Sequence, residues 1–335
     1  MPKVSVVIPN YNHARFLRRR IETVLNQSFQ DFEVILLDDC STDDSRSILS
    51  EYAHDPKVRI EFNEENSGSP FKQWNKGVGL ARGEYIWIAE SDDYADERFL
   101  ERLVAVLEAD PEVVLAYCRS WRVSAEDRLD GFQDRYLPDP QRWTLNHSVN
   151  GRDECRGHFM TYCIVQNASA VLFRKLIYER IGGADETLSM GGDWKMWFAM
   201  ALLGKMAYLS EPLNYYRFHD NSVYGKDTLR IGETEESLRV VRWMQEQVAL
   251  TDSMRDKVGT ILEGRWINPV LNTRVPLKRK WALLRSAMAI DPHALRRLVR
   301  AVFRLRFWHP VLRLTRPVRH AIGLRQQNVR PPLQK

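Results

Sequence analysis

The chain is poor in the features that mark membrane, secreted and zinc-ribbon proteins. No apolar run in its 335 residues approaches the roughly 18 that a membrane-spanning helix needs. The opening Met1-Pro2-Lys3-Val4-Ser5-Val6-Val7-Ile8 passes straight into a strand pattern, without the charged, apolar and cleavage regions of a signal peptide. There are only 4 cysteines, Cys40, Cys118, Cys155 and Cys163, too few and too scattered for a disulfide framework. Cys155, His158 and Cys163 offer three ligands at a spacing that fits no standard zinc pattern. Together these absences predict a cytoplasmic protein with an ordinary core.

Glycine is missing where a dinucleotide-binding loop would need it. The loop after the first strand is Asn10-Tyr11-Asn12-His13. Gly77-Val78-Gly79-Leu80-Ala81-Arg82-Gly83 has the wrong spacing and precedes a strand instead of following one. No Walker loop is present, which argues against a P-loop phosphotransferase. Acids are nearly missing from the C-terminal region. Residues 274–335 hold 16 Lys or Arg and one acid, Asp291, a net +15, so the total of +5 leaves residues 1–273 at −10. An acidic body and a basic tail present two different surfaces.

What is present is a regular alternation. Residues 3–9 read as a buried strand, 14–28 as a helix with Phe16, Leu17, Ile21, Val24 and Leu25 on one face, and 32–37 as a second strand. A short helix follows to Tyr52, then a strand over 58–62, a polar loop over 63–70, a helix over 71–81, a strand over 85–89, a helix over 96–109 and a strand over 113–117. Strands alternating with helices predict an α/β fold with a parallel sheet wound by right-handed crossovers. Ligands bind such sheets beyond the carboxyl ends of the strands. Pro9-Asn10-Tyr11-Asn12, Asp38-Asp39 and Ser91-Asp92-Asp93 all fall at those ends. Residues 118–170 are irregular; 193–203 read as a helix, and 206–209 and 215–218 as short extended pieces. After about residue 226 the pattern is helical, with Leu295, Leu298, Val299 and Val302 opposite Arg297, Arg300 and Arg304. Residues 325–335 read as disordered.

The adjacent acids carry the chemistry. Two carboxylates at the mouth of a buried strand repel each other and resist desolvation, but a divalent cation between them and a phosphate makes the arrangement favourable. Asp93 or Asp96 could instead cap the next helix. Tyr11 could stack on a nucleobase or pack on its own loop. Asp39 could accept a hydrogen bond from a base imide or cap the helix after it. Asp193 could be a general base or the N-cap of its helix.

Four blocks in this order resemble family 2 glycosyltransferases: Ser5-Val6-Val7-Ile8-Pro9-Asn10-Tyr11-Asn12; Val34-Ile35-Leu36-Leu37-Asp38-Asp39-Cys40-Ser41-Thr42-Asp43; Asn66-Ser67-Gly68; and Ala81-Arg82-Gly83-Glu84-Tyr85-Ile86 leading to Ser91-Asp92-Asp93. The resemblance is strong over residues 3–120 and weaker over 160–225. It implies the GT-A fold, a Rossmann-like mixed sheet flanked by helices, and an inverting transfer that uses Mg2+ or Mn2+. Tyr11 and Asp39 would hold the base of a UDP- or dTDP-sugar, with Pro9 shaping the turn. Asn66, Gly68 and Lys72 would lie beside the donor, and Asp92 would line its diphosphate and sugar. Asp93 would be the principal metal ligand, with His219 approaching the metal from a late block, Tyr216-Arg217-Phe218-His219. Asp193, in Met190-Gly191-Gly192-Asp193-Trp194, matches the family's general base. Two positions depart from the pattern. Cys40 replaces a glycine, which questions a left-handed backbone there, and Gly192 replaces a glutamate.

The expected organisation is a transferase domain over 1–225, with a nucleotide-sugar half over 1–117 and an acceptor-side half over 118–225. A basic helical extension over 226–324 and a tail over 325–335 follow. The acceptor would be a glycan or polyprenyl-linked hydroxyl in polysaccharide or O-antigen synthesis. The basic region, 274–324 within it, could pack on the acidic body or dock on an anionic membrane surface; no nucleic-acid reader motif is present. The rival readings are a catalytically impaired binding protein and a nucleotidyltransferase, which would normally carry a basic, Gly-rich loop near the first strand.

Overall fold

The computed structural model describes residues 1–219 and 231–304. Two compact units divide the chain, one ending at Val258 and the other beginning at Gly259. The first is organised by a ten-stranded sheet. Its strands are β1 (Val4–Asn10), β2 (Phe32–Asp38), β3 (Val58–Phe62), β4 (Tyr85–Ile88), β5 (Tyr94–Ala95), β6 (Val113–Val123), β7 (Leu129–Phe132), β8 (His147–Asn150), β9 (Val171–Arg174) and β10 (Lys205–Arg217). The helices of this unit are α1 (Ala14–Leu25), α2 (Ser45–Ser50), α3 (Pro70–Leu80), α4 (Phe99–Ala109), α5 (Gly151–Glu154), α6 (Lys175–Arg180), α7 (Gly192–Ala201) and α8 (Ile231–Gln247). α9 (Asp252–Leu271) crosses the division, and α10 (Leu277–Ile290) and α11 (Ala294–Phe303) lie in the second unit.

The sheet order is β3-β2-β1-β4-β9-β6-β10-β5, with β7 on β6 and β8 on β10. β1, β2 and β3 pair in parallel, and β1 pairs in parallel with β4. Every residue of β1 and β2 is buried, as expected of strands covered on both faces. Val4, Val6, Ile8, Val34, Leu36 and Trp87 pack with Leu17, Ile21 and Val24 of α1 and Phe99 and Leu103 of α4. Each such side chain contributes about 1.5–3 kcal/mol by leaving water. The alternation over residues 3–109 therefore reads correctly, with three helices shorter than expected: α1 stops at Leu25, α2 at Ser50, and α4 starts at Phe99.

Beyond β4 the sheet departs from the all-parallel expectation that the alternation alone suggests. β9 is inserted antiparallel between β4 and β6, so the mixed sheet implied by the family resemblance is the one observed. β9 is four residues long and flanked by a one-turn helix at 168–170, a length at which side-chain periodicity carries little signal. The pieces expected at 206–209 and 215–218 are one strand, β10, which bends at register shifts between Leu209 and Pro212 and between Pro212 and Asn214. Residues 118–170 hold the long end of β6 together with β7, β8 and α5.

The second unit buries Leu262, Trp266, Leu283, Ala287 and Ile290. Arg297 lies opposite Leu295 and Val299, and it is the inward residue: its guanidinium is 7% exposed and reaches Asp291 at 2.6 Å and Thr260 Oγ1 at 2.9 Å. Burial follows the partner here, because a desolvated cation is stable only when paired. Among the described residues no helix is long and apolar enough to cross a membrane. The disorder expected for 325–335 concerns residues outside those described.

Candidate active site

β1, β2 and β4 deliver their polar termini to one edge of the sheet. At the first, Asn10 Nδ2 donates to Asp38 Oδ1 at 3.1 Å and to Ser41 Oγ at 3.2 Å. Asn12, in the left-handed region at φ 57°, accepts from Thr42 N at 2.7 Å. Tyr11 between them is 46% exposed. Pro9 lies within β1, opposite Leu37 of β2. Cys40 adopts φ 62°, so the left-handed conformation survives without the glycine that normally makes it easy.

Asp39 organises the loop that follows β3. Its Oδ1 accepts from Asn63 Nδ2 at 2.6 Å, Ser67 N at 2.8 Å and Gln73 Nε2 at 2.9 Å, and its Oδ2 from Ser67 Oγ at 2.7 Å. Asn66 Nδ2 donates to the Asp39 carbonyl at 3.1 Å, Gly68 N to Asn66 Oδ1 at 2.7 Å, and Lys72 Nζ to the Ser67 carbonyl at 3.1 Å. The candidate residues Asp39, Asn66, Gly68 and Lys72 are thus one hydrogen-bonded assembly. Asp39 does not cap α2; Asp43 Oδ1 takes the Ser45 N–H at 3.0 Å instead.

The third terminus carries the acids. Asp93 is 3% exposed, and its oxygens accept from Arg217 N at 2.8 Å and Asn167 Nδ2 at 2.9 Å. Burial and the neighbouring Asp92 charge push it up to about 6. Asp92 differs. Burial opposes its ionisation, but the His219 hydrogen bond and the nearby His13 outweigh that, and its pKa lies below the ordinary carboxylate value. His219 Nε2 is 3.1 Å from Asp92 Oδ2, and His13 Nδ1 is 2.8 Å from Ser91 Oγ. Among the described residues, His13, Asp92 and His219 form the one group whose ligand atoms converge, all within 4.8 Å of one another. Burial holds the His13 imidazole below its ordinary pKa in spite of Asp92 beside it, which leaves the neutral, ligating form.

A cavity of about 540 Å3 opens here, lined among others by His13, Trp74, Glu90, Asp92, Asp93, Asn167 and Asp193. Asp193 lies in the first turn of α7, whose N-cap position is Gly191. Burial raises the Asp193 carboxyl to about 6, against the Trp194 N–H that it accepts at 2.7 Å. A Cβ on Gly192 would meet the Phe71 ring at 2.5 Å, so an aromatic side chain occupies the space that a larger residue would need. The structure brings Asp92, Asp93, His219 and Asp193 to or beside this cavity. Pro9, Tyr11, Asp39, Asn66, Gly68 and Lys72 belong to the neighbouring β1–β2 edge and are not among the residues lining it.

Several residues of this site escaped sequence reasoning. Glu90 accepts from Trp74 Nε1 at 2.8 Å and is pushed up to about 8 by burial and by Asp92 and Asp93. Arg20 is fully buried, with its Nε 2.8 Å from the Glu90 carbonyl; a cation among the apolar positions Phe16, Leu17, Ile21 and Val24 was the available signal. Arg217 Nε holds the Asp92 carbonyl at 2.7 Å. Glu236 of α8 accepts from Ser189 N, Ser189 Oγ and Met190 N at 3.0, 2.8 and 2.9 Å, fixing the loop before Asp193. That link is set by tertiary packing alone.

The block Ala81-Arg82-Gly83 is structural. A Cβ on Gly83 would lie 2.5 Å from Ser5 N, and Arg82 Nε binds Glu33 Oε2 at 2.8 Å.

Residues 5–164 match the model of the family described as Glycosyl transferase family 2. Glycosyltransferase GlyG of Streptococcus pneumoniae serotype 4 is 40% identical over 114 residues, 33% of this chain and 38% of that protein. The poly(ribitol-phosphate) beta-N-acetylglucosaminyltransferase TarS of Staphylococcus aureus is 33% identical over 110 residues, 32% of this chain and 19% of TarS. The chain thus spans well under half the length of these two relatives. The crystal structure of TarS 1–349 with UDP-GlcNAc superposes with a TM-score of 0.68 at 17% identity, covering 89% of this chain and 88% of that one. The mannosyltransferase PcManGT of Pyrobaculum calidifontis, solved with GDP-Man and Mn2+, gives a TM-score of 0.51 at 17% identity over 96% of this chain and 83% of that one. The chain thus resembles family 2 glycosyltransferases over residues 5–164, the stretch that supplies most of these acids and histidines, and it carries the GT-A fold.

Proposed function

We propose that the protein is a metal-dependent inverting glycosyltransferase. It moves a sugar from a nucleoside-diphosphate donor, UDP- or dTDP-linked, to a hydroxyl of a cell-surface glycan or a polyprenyl-linked precursor. One observation carries the reading: the cavity lined by Asp92 and Asp93, beside the converging histidines, is also lined by a carboxyl that burial poises near neutrality, Asp193. The nucleotide sugars bound to TarS and PcManGT support a donor of this class. The enzyme works in the cytoplasm, at the inner face of the plasma membrane when its acceptor is lipid-linked.

Two imidazoles and a carboxylate with ligand atoms within 4.8 Å fit a divalent ion. This donor set suits Mn2+ better than Mg2+, which prefers an all-oxygen shell. His13, Asp92 and His219 would hold it. When bound, the ion supplies Lewis-acid neutralisation of the charge that builds on the departing diphosphate. Asp93, expected from the family pattern to be the principal ligand, acts in this reading chiefly as the anchor that ties β4 to Arg217 and Asn167.

The remaining steps fall to the chain's own side chains. Tyr11, exposed just beyond the end of β1, stacks on the base, and Pro9 sits within the strand that presents it. Asp39 Oδ2, with a single Ser67 bond, accepts from the base imide. Asn66, Gly68 and Lys72 border the donor. Asp193 takes the proton of the acceptor hydroxyl. The new C–O bond forms at the anomeric carbon as the bond to phosphate breaks, and the electron pair leaves with the nucleoside diphosphate. A single displacement inverts the centre.

The rival reading as an inactive binding protein rests on Gly192 in place of an acid. Phe71 accounts for that glycine by its position, and Asp193 is retained. Release of nucleoside diphosphate from a panel of nucleotide sugars, with Mn2+ and with Mg2+, tests the proposal. Turnover that requires metal and is lost in Asp193→Asn with donor binding intact is the expected result. No release from any donor, from a folded protein that binds none of them, overturns it.

A further inference from the structure

In the second unit, α11 turns aliphatic side chains outward. Leu295, Val299 and Val302 recur at helical spacing and are 56%, 62% and 42% exposed. Arg296, Arg300 and Arg304 are exposed too; at 100° per residue they run from beside the apolar stripe, at Arg296, round towards the far side, at Arg304. The inward sector holds Ala294 and the paired Arg297. A helix whose free surface meets only water would place these residues the other way round. α10 repeats the arrangement: Leu277, Trp281 and Met288 are 70%, 56% and 42% exposed, beside exposed Lys278 and Arg285.

Charge selects the partner. The sequence after Arg304 adds seven Lys or Arg and no acid, so it offers nothing to neutralise the arginines of α11. A second copy of this region would bring the same positive charge. Nucleic acid would use the cations but leave the aliphatic stripe in water. A bilayer with anionic headgroups satisfies both sectors, with aliphatic side chains and the Trp281 ring at the acyl boundary and guanidinium groups among phosphates. We propose that α10 and α11 form a docking surface for an anionic lipid bilayer. The proposal stands independently of the transferase reading.

Sedimentation of the full chain with vesicles of phosphatidylcholine alone, or mixed with phosphatidylglycerol, tests it. Binding should require the anionic lipid and weaken steeply as salt shortens the screening length. Replacing Leu295, Val299 and Val302 together by Glu, or Arg296, Arg300 and Arg304 together by Glu, should lower vesicle affinity by roughly tenfold or more. Thermal unfolding should be unchanged, because these side chains are exposed. Failure to sediment with anionic vesicles overturns the proposal. So does binding that is indifferent to the Glu variants, or a stripe that proves to hold a dimer in sedimentation equilibrium while wild type ignores lipid.

Discussion

A Cβ placed on Gly192 would lie 2.5 Å from the edge of the Phe71 ring. The glutamate that the family pattern leads one to expect at 192 therefore has no room unless Phe71 gives way. Gly192→Glu should destabilise the fold by about 1–3 kcal/mol, as overpacking does. In a Phe71→Ala background the penalty should shrink, since the two residues share one space. Urea unfolding of the double-mutant cycle measures this coupling; additive effects would show that the ring is not what excludes the side chain.

Asp193 is raised to about 6, and a base must be deprotonated to work. Transfer should therefore fall as pH drops through about 6, and Asp193→Asn should cost roughly 10²–10⁴-fold in rate while donor affinity stays near wild type. Stability moves in the opposite sense. A carboxyl with a folded pKa above its unfolded value favours the folded state only while protonated, so its ionised form is a burden above pH 6. Asp193→Asn should then melt higher than wild type at pH 7–8 and lose that advantage near pH 4. Equal melting at both pH values would contradict the burial argument.

Asp92 and Asp93 are adjacent but differently bonded. Asp92→Ala should weaken Mn2+ binding by more than about tenfold, as loss of one ligand of a small donor set does, with a smaller loss in the melting of the metal-free protein, from the broken His219 contact. Asp93→Ala should lower that melting first, because it strands the Arg217 N–H and the Asn167 amide, each costing about 1–3 kcal/mol. Calorimetric metal titration paired with metal-free unfolding separates the two; the reverse pattern would make Asp93 the ligand.

Cys40 holds φ 62° where a β-carbon is unfavourable. Cys40→Gly should be neutral or stabilising by up to about 1 kcal/mol, the relief of strain offset by the greater freedom of glycine when unfolded. Cys40→Val should destabilise by about 1–3 kcal/mol. Chemical denaturation distinguishes them, and a Val variant as stable as wild type would argue against strain.

Residues near one another in sequence were legible, and residues joined by the sheet were not. The apolar run of β1 and the spacing of Phe16, Leu17 and Ile21 are local facts that survive folding. The acid pair at 92–93 was visible because it ends a strand abruptly. The role of His13 was not, because its partners Asp92 and His219 lie 79 and 206 positions away in the chain. Antiparallel β9, four residues long, escapes notice because a short buried strand has no readable period. Which face of α11 turns outward was not legible for another reason: hydropathy tells which residues share a side of a helix, not which side turns inward.

β10 carries an unexpected arithmetic. Ser210, Glu211 and Leu213 have no counterpart in its register with β6, so between Leu209 and Asn214 the strand holds an odd surplus over its neighbour. Such a surplus is bulge-like: extra residues face one partner, and the strand bends and twists more strongly there. The irregular Glu211-Pro212 corner thus aims the run that ends in Arg217, whose N–H reaches Asp93 Oδ1. Deleting one residue there would leave every functional side chain in the sequence while shifting the register that carries Arg217 to Asp93.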